Sequence, residues 1–166
     1  MRQKIAAGLG AGLIAGLVLG IVMRVLPVSA ANGQQITMIA VAARLTHVGS
    51  QLAGWLAYVA YAVVLGVLFG ASLFVGRDSV LRTAIMGGVW GIGWFVVVGF
   101  GLVPTLLGSR PLSAPALREL GAIAVPLLIG HIAYGLVLGA AYRLILNALS
   151  GPGSSGRAQP GIRRAA

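Results

Sequence analysis

His131 is the side chain in this sequence best equipped for proton chemistry. It stands in the run Gly130-His131-Ile132-Ala133-Tyr134-Gly135, inside a long apolar segment that continues through Gly139 to Tyr142. An imidazole gains and loses a proton near neutral pH and ligates metals. An ionisable ring within an apolar span is a functional candidate by default. An edited copy of the run lies earlier, where Tyr58 and Tyr61 precede Gly66. The polar set Tyr58, Tyr61, His131 and Tyr134 therefore reads as a proton relay, a gate, or a buried hydrogen-bonded seam. Groups for other chemistry are scarce, since the chain has two acidic residues, two histidines and no cysteine. Disulfides and thiolate sites are excluded, and too few ligands remain for a conventional metal site. A haem held by two histidines needs them at matching depth, but His47 reads as lying outside the apolar segments. No nucleophile, acid and base converge in any stretch. Neither an enzyme activity nor a cofactor is expected.

The elements that must position these residues are membrane-spanning helices. Of 166 residues, 58% are hydrophobic and 8% charged, against about a quarter charged in soluble domains. Such a chain cannot cover a water-facing surface of normal polarity. Twelve Lys and Arg face two acids, but they fall at the ends of apolar runs, as juxtamembrane charges do. No basic patch has aromatics interleaved at loop positions, so nucleic acid is not an expected partner. The apolar runs place spans at about 5–26, 52–75, 84–107 and 122–146, each long enough to cross a hydrocarbon core of about 30 Å. Residues 1–149 form one membrane domain. Residues 150–166, rich in Gly, Pro, Ser and Arg without apolar periodicity, read as a disordered basic tail.

Within the first span Gly8, Gly12, Gly16 and Gly20 recur every four residues, a glycine zipper that lets another helix approach closely in lipid. A basic start followed by Val28-Ser29-Ala30 also fits a signal peptide, but the apolar run is too long for one, and Arg24 and Pro27 interrupt the approach to the cleavage site. After Pro27, Asn32 and Gly33, a second pattern sets Met38, Val41, Ala42, Leu45 and Val48 opposite Thr37, Arg44, His47 and Gln51. That spacing predicts a short amphipathic helix on the membrane surface between the first and second spans. Gly76-Arg77-Asp78-Ser79 reads as a tight turn. Ser113 reads as the start of a short surface helix feeding the fourth span, with a kink at Pro126. With both termini cytoplasmic, eight basic residues lie inside and four outside, which satisfies the positive-inside rule.

Sliding the chain on itself lays Ala60–Phe69 over Ala133–Tyr142, with Tyr58 over His131. Spans one and three match more loosely, Gly10 over Gly87, Gly16 over Gly93 and Pro27 over Pro104. The expected architecture is an all-α integral membrane four-helix bundle built from two duplicated helical hairpins, related by a pseudo-two-fold axis along the membrane normal. The stripes Tyr58-Ala62-Gly66 and His131-Gly135-Gly139 share i, i+4, i+8 spacing and are expected to face each other. The Tyr58 hydroxyl or a neighbouring carbonyl would then satisfy His131.

Gly130, His131, Tyr134, Gly135, Gly139 and Tyr142, together with Gly54, Trp55, Gly66, Phe69 and Gly70, resemble the pattern of an uncharacterised family of small four-span bacterial inner-membrane proteins. Its last helix carries Gly-His-x-x-Tyr-Gly. The resemblance covers roughly residues 36–146 and implies a multi-pass inner-membrane location with no assigned activity. Where the family often has a second histidine, this chain has Tyr58. The function expected is that of a structural or accessory membrane protein acting through helix packing, as a homo-oligomer or in a larger membrane complex. A small transporter with His131 as gate or proton relay is the alternative.

Overall fold

A computed structural model describes residues 1–25, 27–29, 35–37, 39–40, 43, 50–72, 79–106 and 108–151. Its frame is four helices long and apolar enough to cross a membrane: α1 (Arg2–Val25), α2 (Gln51–Ala71), α3 (Val80–Leu106) and α4 (Ala114–Ser150). Between 28% and 44% of each spanning window is buried. The outward faces carry Leu9, Ile21, Leu56, Val64, Val89 and Ile129. In water an apolar exterior on this scale is not sustainable. The chain is a multi-pass membrane protein folded as an all-α four-helix bundle.

The helices pack in the order α2–α1–α4–α3. Two interfaces lie within consecutive pairs, α1 with α2 and α3 with α4, and the third joins α1 to α4. Small residues explain the first two. A methyl group at Gly8 would collide with the Gly66 carbonyl, and one at Gly66 with the Gly8 carbonyl. The same reciprocal contact joins Gly87 and Gly135. Backbones that close gain the dispersion contacts that drive association in lipid.

The two seams repeat one another. Gly66 meets the Gly8 carbonyl as Gly139 meets that of Thr83, and Gly12 opposes Ala62 as Gly87 opposes Gly135. The α2-to-α4 offset is 73 (139 − 66), as in the sequence alignment. The α1-to-α3 offset is 75 (83 − 8), which corrects the looser match of Gly10 to Gly87. Gly10 instead lies against the Ile145 side chain of α4. Glycine letters align at either offset, and only the carbonyl contacts fix the register.

Helix ends depart from the apolar runs. The fourth helix is one continuous element from Ala114, not a surface helix followed by a span, and it runs through Pro126. Ser113 precedes it in extended conformation and Pro115 sits in its first turn, where a missing N–H costs nothing. In α3 the backbone widens to a π-turn over Val98–Leu102 before returning to α-helix at Val103–Leu106. Pro104 supplies the cause, since it cannot donate an amide to the preceding turn and its ring crowds that turn.

The link between α1 and α2 contains an antiparallel pair of short strands, β1 (Pro27–Ser29) and β2 (Gln35–Thr37), with Val28 opposite Ile36. Thr37, expected on the polar face of an amphipathic helix, ends β2 instead, and its Oγ1 accepts from the Ala40 N–H at 3.3 Å. Ile39 and Ala43 are helical and buried against Gly54 of α2, a face rotated from the one anticipated. The rest of the expected amphipathic helix, His47 included, lies outside the described residues, as do the Arg77–Asp78 turn and the tail beyond Gly151.

Candidate functional site

The polar cluster forms where α4 passes between α1 and α3 and looks across to α2. His131 sits about 12 Å into its spanning segment by helical rise. It is 8% exposed. Its Nδ1 lies 2.9 Å from the Leu127 carbonyl one turn earlier, and its Nε2 lies 3.2 Å from the Tyr61 hydroxyl. A carbonyl only accepts, so in the neutral ring Nδ1 carries the proton and donates to Leu127. Nε2 then accepts from Tyr61. Both ring nitrogens are satisfied, as a polar group in hydrocarbon requires.

The partner is Tyr61, not the aligned Tyr58. Both tyrosines project from neighbouring turns of α2, and the longer reach across the bundle belongs to Tyr61. Its ring meets the imidazole edge-on, with centroids 6.3 Å apart. Phe95 of α3 approaches His131 in the same fashion at 6.2 Å. His131 thus joins three helices: its own, α2 through Tyr61, and α3 through Phe95. Nothing in the sequence spacing singles out Phe95, because its relation to His131 depends on the register between α3 and α4.

Tyr134, one turn along α4, is 4% exposed and donates its hydroxyl proton to the Ala62 carbonyl of α2 at 2.5 Å. Tyr58, with Leu19, Met23, Tyr61, Ala62, Gly130, His131 and Tyr134, encloses a cavity of about 20 Å³, space for about one water molecule. All four residues of the anticipated polar seam therefore line one small chamber between α2 and α4. Among the described residues, no Asp, Glu, Lys or Arg borders it.

The expected face-to-face packing of the two small-residue stripes does not occur. Ala62 and Gly66 meet Gly12 and Gly8 of α1, while Gly135 and Gly139 meet Gly87 and Thr83 of α3. The aromatic rings between α2 and α4 hold those backbones apart, and each stripe closes on the first helix of its own pair. Gly16 and Gly20 continue the α1 face, against Ala62 and the Trp55 ring. The whole zipper is consumed within the monomer.

Further aromatics form a second cluster toward the end of the bundle that carries Lys4 and Leu149. Phe69 contacts Tyr142 at 5.5 Å and Trp90 at 5.9 Å, and Trp90 contacts Trp94 at 5.9 Å, all edge-on. This geometry suits the ring quadrupoles. The Tyr142 hydroxyl and the Trp90 indole nitrogen are buried there with no hydrogen-bond partner. Gln3 at the start of α1 donates to the Leu149 carbonyl at 3.3 Å, and Arg24 at its far end donates to Gln51 at 2.7 Å. Thr83, fully buried, turns its hydroxyl back to the Ser79 carbonyl at 3.0 Å.

No family model, curated protein or solved structure matches the chain.

Proposed function

We propose that this chain is a structural or accessory protein of the bacterial inner membrane, with both termini cytoplasmic, acting through helix packing rather than chemistry. It fits the small four-span family whose Gly-His-x-x-Tyr-Gly motif it shares. The observation that carries the reading is that His131 has both nitrogens engaged by Leu127 and Tyr61 while bridging to Phe95. A ring so occupied serves as a cross-brace between α2, α4 and α3. The zipper glycines are spent internally, so association with a partner or a second copy would use the outer apolar faces. No enzymatic role and no nucleic-acid partner enters this reading.

The chamber of about 20 Å³ beside Tyr58 and His131 favours a second reading, passage of protons or water with His131 as the relay. One experiment separates them. The intact protein and His131→Ala are reconstituted in liposomes, and proton flux and assembly state are both measured. The structural reading expects no flux above protein-free vesicles in either form, with weakened assembly in the variant. A flux that the intact protein supports and His131→Ala abolishes would replace it with the relay.

A further inference from the structure

The pseudo-symmetry of the bundle is broken at one interface. If α1 corresponds to α3 and α2 to α4, the close α1–α4 contact should be matched by an α3–α2 contact. Instead, those two backbones stand apart, and a cleft of about 480 Å³ opens between them. The offset of 75 supplies the reason. Ala7, Ala11 and Ala15, fully buried on α1, correspond to Arg82, Met86 and Trp90 on α3. Alanines let one pair of helices close, and large side chains at the matching positions hold the other pair open.

Three features of the cleft point to its occupant. Its lining is almost wholly apolar, with Phe69, Met86, Val89, Trp90, Trp94 and Val97 among the walls, and its volume falls within the range of about 300–1,000 Å³ typical of ligand sites. Its length is that of one leaflet: Met86 to Val97 covers about 16 Å of helix, against about 15 Å for half a hydrocarbon core. Beyond Val97 the gap is closed by the Phe95–His131–Tyr61 ring contacts. A spanning helix from another chain would need the full thickness, whereas an acyl chain needs half. Charge completes the picture. Arg82 lies one turn above Met86 at the mouth of the cleft and is exposed, at headgroup height. The neighbouring acid, Asp78, lies outside the described residues, and the chain holds twelve basic residues against two acids. Gly93 on the cleft wall has open space where its Cβ would stand, unlike the seam glycines. A small residue there leaves room for something the protein itself does not supply.

We propose that the α2–α3 cleft binds one acyl chain of an anionic phospholipid, with the lipid phosphate held at Arg82. The site is independent of the structural reading above and would stand even if His131 were a relay.

The test uses the full chain with Trp55→Phe, so that fluorescence reports Trp90 and Trp94 alone. Phosphatidylglycerol brominated on its acyl chains is titrated into the protein in detergent micelles. Quenching should saturate at one lipid per protein. Gly93→Leu and Val97→Trp, which fill the cleft, should each remove the saturable phase, with thermal melting monitored so that an unfolded variant is set aside and the other decides. Arg82→Gln should weaken binding about fivefold, from about 1 kcal/mol per headgroup contact. Brominated phosphatidylcholine should bind the intact protein as weakly as phosphatidylglycerol binds Arg82→Gln. Quenching that only rises with lipid mole fraction, equal binding of the two headgroups, or a saturable phase that survives in a folded cleft-filling variant would overturn the proposal. So would an intact mass showing a dimer that Gly93→Leu dissociates, which would put a second copy in the cleft.

Discussion

Replacing Tyr61 by Phe keeps the ring that packs edge-on against His131 and removes only the hydroxyl. Nε2 then loses its donor in a site without a second described one. A buried acceptor left unsatisfied costs about 1–3 kcal/mol in water-soluble proteins. Between membrane helices the measured average for such bonds is about 0.6 kcal/mol, with a maximum near 1.7. The O···N distance of 3.2 Å is at the long end for this bond type, and the adjoining chamber has room for one water that can substitute. Both facts favour the lower part of the range, so Tyr61→Phe should destabilise by about 0.5–1 kcal/mol. His131→Leu should cost more, because it also removes the brace to Phe95 and frees the Tyr61 hydroxyl in an apolar setting. The decisive quantity is the coupling in the double variant, which has neither orphan. The assay is reversible unfolding in mixed micelles with added denaturing detergent, read by circular dichroism for the four forms of the cycle. The pair should fall short of additivity by about 0.5–1 kcal/mol. Additivity within about 0.3 kcal/mol would mean that the hydrogen bond contributes nothing, and the cross-brace argument would fail with it.

The remaining expectations concern packing. Gly135→Ala puts a methyl group into the Gly87 backbone, which cannot yield as a side chain can, and should lower stability by about 1–3 kcal/mol. Gly93→Ala meets open space, and its melting temperature should match the parent or exceed it slightly. Tyr134→Phe removes the donor to the Ala62 carbonyl and should cost about 0.6 kcal/mol, measured by the same detergent titration. Gly8→Leu should unfold or loosen the chain without altering the mass of whatever assembly the folded parent forms, because Gly8 packs on Gly66 of its own chain. A clean change of oligomer mass in a fully folded Gly8→Leu would contradict the internal placement of the zipper.

The spans were legible because uncharged runs of this length have few alternatives to crossing a bilayer. Their ends were less so. A helix continues past its apolar run wherever its last turns lie at the interface, as α3 does back to Val80 and α4 back to Ala114. Glycine spacing announced close approach but not the partner. Gly66 and Gly139 reach α1 and α3, not each other, since both faces of such a contact must be small. Tyr58 aligned with His131 in sequence, yet Tyr61 made the bond, because side-chain reach and not Cα register decides a hydrogen bond across a bundle. The strand pair before α2 had a signal that the helical reading passed over: Asn32-Gly33 between short extended stretches is a strong hairpin turn. The open cleft needed the offset of 75, which no letter match reveals.

Each seam closes between helices adjacent in the chain, Gly8 on Gly66 and Gly87 on Gly135. Synthesis therefore delivers α1 and α2 to the bilayer with every group of their tightest contact already present, before α3 emerges. Only the α1–α4 interface and the His131 brace must wait for the last helix. Two co-expressed fragments, divided between α2 and α3, should accordingly each insert as a finished hairpin. They would find one another through a single remaining surface, with the final helix acting as the latch.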